Sequence, residues 1–224
     1  MSHNGFELDK YFKTDDLKKC SRFWIILFKT ILSKLYHWKI YVVGSVEYQY
    51  PNHLFQAGYF LDKKYYDENT IDFKHLLLSE KNQSLLKDIQ NSNSVGVHIR
   101  RGDYMTKQNL VIFGNICTQK YYHDAIRIIT EKVNDAVFYV FSDDISWVQT
   151  HLDIPNAVYV DWNTGESSIY DMYLMSSCKY NIIANSTFSY WAARLNKKTN
   201  MVIYPSKWYN TFTPDIFPES WCGI

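Results

Sequence analysis

From Val95 to Tyr204, apolar runs of strand length alternate with stretches of helical period, and this alternation limits the fold more than any other feature of the 224-residue chain. Val95–Ile99, Ala136–Phe141, Ala157–Val160, Asn181–Ala184 and Met201–Tyr204 read as buried strands. Between them, Thr118 caps a helix with Tyr122, Ile126, Ile129 and Val133 on one face. A second helix buries Ile145, Val148 and Leu152. A third runs from Ser167 through Cys178, and Asn185-Ser186-Thr187 opens a fourth with Phe188, Trp191, Ala192 and Leu195 on its inner face. Strands that alternate with helices in this way predict an α/β fold with a Rossmann-like parallel sheet and right-handed crossovers. Ligands of such sheets gather beyond the carboxyl ends of the strands.

The first ninety residues are less regular. Gly5 suggests a turn into a short helix, and Thr14, Asp15 and Asp16 can cap a long helix reaching His37. Residues 39–47 read as a strand, Tyr48–His53 as a turn around Pro51, and Gly58-Tyr59-Phe60 through Tyr65-Tyr66 as an aromatic-lined loop. Ser79 caps a helix to Gln90, and Asn91-Ser92-Asn93-Ser94 reads as a polar linker. The expected division is therefore 1–92 as an N-terminal region, 93–204 as the α/β domain, and 205–224 as a tail packing across the two.

Composition excludes several classes. With 46% hydrophobic and 21% charged residues the chain is an ordinary globular one, and 24 basic against 23 acidic side chains leave no electrostatic footprint for nucleic acid. Cys20, Cys117, Cys178 and Cys222 form no close pair, which points to reduced thiols rather than a zinc site or a disulfide framework. Met1–Lys13 is too polar for a signal peptide, and Phe23–Leu35, interrupted by Lys29 and Lys34, is too short to span a bilayer. Trp24, Leu27, Phe28, Ile31, Leu32 and Leu35 share one helical face, which suits either the core or a membrane surface.

Three strand ends carry chemistry. After Ile99 the chain turns cationic at Arg100-Arg101-Gly102-Asp103, and two guanidiniums suit a diphosphate, the plain alternative being two solvated arginines. After Phe141 comes Ser142-Asp143-Asp144. Its carboxylates suit a metal pair, a ribose or base contact, or a simple helix cap at Asp144. After Ala184, Asn185-Ser186-Thr187 offers hydroxyls and the free amides of a helix N-terminus, a phosphate cradle or an ordinary cap. By strand alternation His98 shares a face with Gly96 and Arg100, and Gly96 leaves room there for a ligand or another backbone.

Taken together, Val97–Tyr104, Phe138–Asp144, Asp171–Ser176 and Asn181–Ser189 resemble the bacterial α-1,2-fucosyltransferase family, and the likeness extends from His3-Asn4-Gly5-Phe6-Glu7-Leu8 to Pro218-Glu219-Ser220-Trp221. The resemblance implies a GT-B-like pair of α/β domains and an inverting, metal-independent transfer of fucose from GDP-fucose to the 2-hydroxyl of a galactose-type acceptor. It implies no required cofactor. It makes His98, Arg100 and Asp103 the donor-site motif and the catalytic residues, with Arg100 on the diphosphate. The donor-binding residues it implies are Arg100, Arg101, Ser142, Asp143, Asn185, Ser186 and Thr187. Asp103 is a candidate base, although a carboxylate paired with arginine makes a weak one.

Two departures stand out. Family members open with a strand and a Gly-Gly-x-Gly-Asn-Gln turn that this chain lacks, so it is expected to start late, which leaves a non-catalytic GDP- or sugar-binding remnant as the alternative. The usual Trp-Trp-Gly-Ala-Trp-like continuation reads Tyr190-Trp191-Ala192-Ala193-Arg194. The resemblance places the protein in the bacterial cytoplasm or peripherally at the inner face of the membrane, acting on O-antigen-type polysaccharide precursors.

Overall fold

The computed structural model describes residues 8–13, 23, 31, 41–44, 55–58 and 71–224. The chain divides into two compact units. One comprises Met1–Lys13, Ile71–Thr213 and Pro218–Ile224, the other Thr14–Thr70 with Pro214–Phe217. The division thus falls near residue 70 rather than at 92. The expected tail is shared: 205–213 and 218–224 belong to the first unit and 214–217 to the second. In the second unit, β1 (Tyr41–Gly44) and β2 (Phe55–Gly58) pair in parallel, with Tyr41 opposite Phe55 and Gly44 opposite Gly58. β1 lies inside the strand expected over 39–47; β2 was not foreseen. Apart from the helical positions Phe23 and Ile31, the long helix expected over 14–37 lies outside the described residues, as does the aromatic loop of 59–66.

The first unit opens with α1 (Leu8–Tyr11), whose following residue Phe12 bridges to Phe73 and stacks on its ring at 5.0 Å. Its remaining elements are α2 (Glu80–Asn91), β3 (Asn93–Ile99), a 3-10 turn (Gly102–Met105), α3 (Lys107–Phe113), α4 (Gln119–Lys132), β4 (Ala136–Ser142), α5 (Ile145–His151), β5 (Ala157–Val160), a second 3-10 turn (Gly165–Ser167), α6 (Ser168–Met175), β6 (Tyr180–Ile182), α7 (Thr187–Arg194), β7 (Met201–Tyr204) and β8 (Cys222–Gly223). Ser79, Thr118 and Asp144 cap α2, α4 and α5 as the sequence predicts, each side chain accepting from the backbone N–H three residues on.

The strands form one parallel sheet in the order β5-β4-β3-β6-β7-β8. The strands differ from expectation in several places. β3 begins at Asn93, because Asn93 and Ser94 pair with Ala136 and Val137. The supposed linker residue Ser94 is fully buried, and its Oγ accepts from the Lys179 N–H at 3.1 Å. β6 ends at Ile182 because Ala184 has already turned: its N–H donates to Ser189 Oγ at 3.2 Å. The sixth strand, β8, is two residues long and carries no period by which sequence could reveal it.

Helices cover both faces. Val95, Val97 and Ile99 join Tyr122, Ala125, Ile126 and Ile129 of α4 and Val148 of α5 in the main core. On the opposite face α6 lies over β3 and β4, with α2 and α7 packed beside it. The space that Gly96 leaves there is not open. A Cβ at this position would lie 2.9 Å from Asn181 Nδ2 and 3.0 Å from Met175 Cγ. α7 also sits rotated from the face expected for it, burying Ser189, Tyr190, Ala192 and Ala193. Tyr190 turns inward to meet Trp208 edge-on at 6.0 Å, and the two alanines allow close approach.

This order has a functional consequence. β3, β4 and β5 step outward in one direction, and the chain then returns past β3 to lay down β6, β7 and β8 on its other side. Such a reversal leaves a crevice between the carboxyl ends of β3 and β6.

The filled space at Gly96 predicts that Gly96→Val lowers stability by about 1–3 kcal/mol through overpacking. Chemical denaturation of variant and parent checks it.

Candidate functional site

At the carboxyl end of β3 two arginines meet three carboxylates. Arg100 Nη1 lies 2.9 Å from Asp143 Oδ2, and Nη2 lies 2.6 Å from Asp103 Oδ1. The other oxygen of Asp143 accepts the Arg101 backbone N–H at 2.9 Å, so one carboxylate ties the ends of β3 and β4 together. Gly102 is required here, since a Cβ would collide with the Asp143 carboxylate. Arg101 turns toward α5. Its Nε donates to Asp144 Oδ2 at 3.1 Å, and its guanidinium lies 3.6 Å over the Trp147 ring, which also stacks on His151 at 4.6 Å. Asp143 and Asp144 are thus both spent on arginines, Asp144 while also capping α5. Ser142 Oγ accepts the Asp144 N–H at 3.0 Å, which shapes the turn.

Across the crevice lies the end of β6. Tyr104, in the 3-10 turn, donates from its hydroxyl to the Asn185 carbonyl at 2.9 Å, and the Arg100 guanidinium lies 5.7 Å from the Tyr104 ring centre. The Arg100 loop and the start of α7 therefore share one edge. Asn185 itself is buried and fully engaged: Nδ2 donates to the carbonyls of Phe113 and Trp208, and Oδ1 accepts from Cys117 Sγ. Its side chain braces the crevice rather than facing it. Ser186 is buried at the helix cap position with no capping bond from its side chain, while Thr187 is exposed. Ser189 takes over the turn, donating to Ala184 and Ser186 carbonyls at 3.3 Å.

His98 is buried beneath this edge, its ring 5.0 Å from that of Phe188 in α7. Its Nδ1 has no hydrogen-bond partner. Burial, with Arg100 nearby as a lesser cause, depresses its pKa to about 3, so the imidazole is neutral. Ser168 Oγ at the start of α6 is likewise buried without a partner.

One turn further along α6, Asp171 was part of a recognised motif but not named for the site. Its Oδ1 accepts from Asn163 Nδ2 at 2.7 Å, and Asn82 Oδ1 accepts from both Asn163 Nδ2 and Trp162 Nε1. Desolvation raises the Asp171 pKa to about 7 against the opposing Asn163 hydrogen bond. Trp147 and Asn82 were also missed. Both sit on helix faces that read as ordinary amphipathic positions, and only the tertiary approach of a second element gives them partners.

Among the described residues, no three of His, Cys, Asp and Glu cluster as metal ligands, and Cys117, Cys178 and Cys222 are free thiols. No helix among them is long and apolar enough to cross a membrane.

A parallel sheet with two arginines beside the reversal of its strand order is the arrangement of an α/β protein with a ligand crevice at its switch point. The sequence specifies which kind: residues 13–224 match the profile of glycosyl transferase family 11, and the chain belongs to that family. It is 35% identical over 196 residues to an α-1,2-colitosyltransferase of Escherichia coli, an alignment covering 81% of this chain and 63% of that protein. It is 43% identical over 122 residues to the O-antigen biosynthesis glycosyltransferase WbnK of Escherichia coli, over 54% of this chain and 40% of that one. Similarity extends to the galactoside α-(1,2)-fucosyltransferase 2 of Pongo pygmaeus, 28% identical over 67% of this chain and 48% of the relative. The chain thus spans less than two thirds of the length of these relatives. A crystal structure of the fucosyltransferase NodZ from Bradyrhizobium aligns with 83% of this chain and 62% of that one, at 15% identity and a TM-score of 0.43.

The raised pKa of Asp171 makes a prediction about stability. Its contribution to folding is full below about pH 4, where the carboxyl is protonated in both states, and is lost as pH rises to about 7, because the unfolded chain ionises first. Asp171→Asn should therefore gain melting temperature relative to the parent between pH 4.5 and 7.5. Thermal denaturation across that range checks it.

Proposed function

We propose that this chain binds GDP-fucose and transfers fucose, with inversion, to the 2-hydroxyl of a galactose-containing glycan. The observation that carries the proposal is the placement of the Arg100 guanidinium at the switch point, held by Asp143 and facing the same edge as the α7 N-terminus. When the bond between sugar and diphosphate breaks, negative charge grows on the departing GDP. A guanidinium already fixed in place and the leading amides of a helix stabilise that charge without reorganising. Arg100 is assigned to the diphosphate, with Ser186 and Thr187 as hydroxyl donors beside it. Arg101, Ser142 and Asp143 shape and hold the cradle. Asp103 is assigned to its solvent side.

The base and ribose of the nucleotide are assigned to the α6–α7 face. Two buried polar atoms, His98 Nδ1 and Ser168 Oγ, stand there without partners and would be satisfied by a polar ring edge. The names of the relatives support the linkage: two are α-1,2-transferases, one moving colitose and one fucose. The 35% identity to the former favours a second reading, in which the donor sugar is colitose. Reduced thiols, a cytoplasmic location and peripheral attachment to the inner membrane complete the proposal.

Calorimetric titration with GDP should show that Arg100→Ala weakens binding at least about tenfold. Equal affinity in variant and parent would refute the assignment. Incubation with radiolabelled GDP-fucose or with a colitosyl donor, against lactose-type acceptors, separates the two sugars. GDP binding without transfer from either would leave a binding module.

A further inference from the structure

Arg100 already faces two carboxylates before any ligand arrives. Its two terminal nitrogens are each taken by a carboxylate, Nη1 by Asp143 and Nη2 by Asp103. A diphosphate gripped bidentately through both terminal nitrogens competes with these carboxylates for them. The two carboxylates differ in what that costs.

Asp143 is the expensive one to move. Only 27% of its side chain is exposed, both of its oxygens are engaged, and one of them satisfies the Arg101 backbone N–H. Turning it away would unfasten the end of β3 from the end of β4. Asp103 is the cheap one. Its side chain is 56% exposed and sits on the short 3-10 turn. That turn is anchored independently of the carboxylate, since the Asp103 carbonyl accepts from Asn109 Nδ2 at 2.9 Å and the Tyr104 hydroxyl donates across the crevice. A rotation of the Asp103 side chain into solvent frees Nη2 with no backbone movement.

Resting on the assignment of Arg100 to the donor diphosphate, we infer that Asp143 positions the guanidinium in both the free and the bound state. Asp103 occupies the place of a phosphate oxygen in the free state and is displaced when the nucleotide binds. Asp103 is an internal competitor for the donor site, and Asp143 is a positioning residue that acts through Arg100. The competitor gives Nη2 a partner in the empty site and lowers donor affinity.

The test is calorimetric titration of the whole chain with GDP in the parent, Asp103→Asn, Asp143→Asn, Arg100→Ala and the two double variants that combine Arg100→Ala with each aspartate change. Asp103→Asn should bind GDP about three- to fivefold more tightly than the parent, the range of a partly exposed ion pair released. Asp143→Asn should bind about tenfold more weakly. Both effects should vanish in the Arg100→Ala background, where there is no guanidinium to release or to hold. A general charge effect or a merely structural role would persist there. An Asp103→Asn variant that binds GDP no more tightly than the parent overturns the inference, whether or not Asp143→Asn folds. If Arg100→Ala alone binds GDP like the parent, the assignment of the diphosphate fails first.

Discussion

The Asp143 carboxylate is the interaction on which the site depends. One oxygen takes a backbone N–H from the loop after β3 and the other takes the Arg100 guanidinium, so a single side chain at the end of β4 sets both the path of the neighbouring loop and the aim of its cation. Charge-assisted bonds of this kind are stronger than neutral ones, and they are weakened by water only where water reaches them. Gly102 lets the carboxylate come close enough, and the adjacent pair of Arg101 with Asp144, backed by Trp147, fastens the same two loops a second time. The sheet beneath makes this workable. Seven residues of β3 pair with seven of β4 in register, ending at Ile99 opposite Ser142, so the two loops emerge side by side.

The buried polar groups on the other side of β3 belong to a different economy. Asn181 Nδ2 donates to the carbonyl of Met175, and Asn196 Nδ2 donates to Asn181 Oδ1 and to the carbonyl of Cys178. Burial holds His98 uncharged and raises the Asp171 carboxyl to a pKa of about 7. A neutral imidazole and a carboxyl poised near neutrality recognise hydrogen-bonding edges rather than ions. The edge of the sheet is thus divided between a charged portion at Arg100 and an uncharged portion toward α6.

Much of this was legible in the residues. Alternating Val95, Val97 and Ile99, the period of α4, and the caps at Ser79, Thr118 and Asp144 are local signals, and each formed as read. The clustering of three strand ends also followed from the parallel order. What local pattern could not carry is the identity of partners. Arg100 and Arg101 look equivalent in sequence, yet one is bracketed by two acids at the crevice and the other is stacked on Trp147. Asn185 reads as a cap-region donor and is instead consumed by two distant carbonyls. Gly96 reads as open space, which Asn181 and Met175 fill. The strand β8 and the division near residue 70 depend on contacts between segments far apart in the chain, which no window of residues displays.

Asn185 joins Phe113 at the end of α3 and Trp208 beyond β7 to the turn that starts α7, with Tyr104 holding its carbonyl from the other side. Around it Phe113 stacks on Tyr104 at 4.6 Å and meets Tyr209 at 5.4 Å, and Asn210 donates to the carbonyls of Val111 and Gly114. Segments separated by as much as a hundred residues are in this way clamped to one amide. Sequence drift in the outward-facing helix α3 is consequently not free of the crevice: any change that shifts the Phe113 carbonyl must be absorbed by the turn that starts α7.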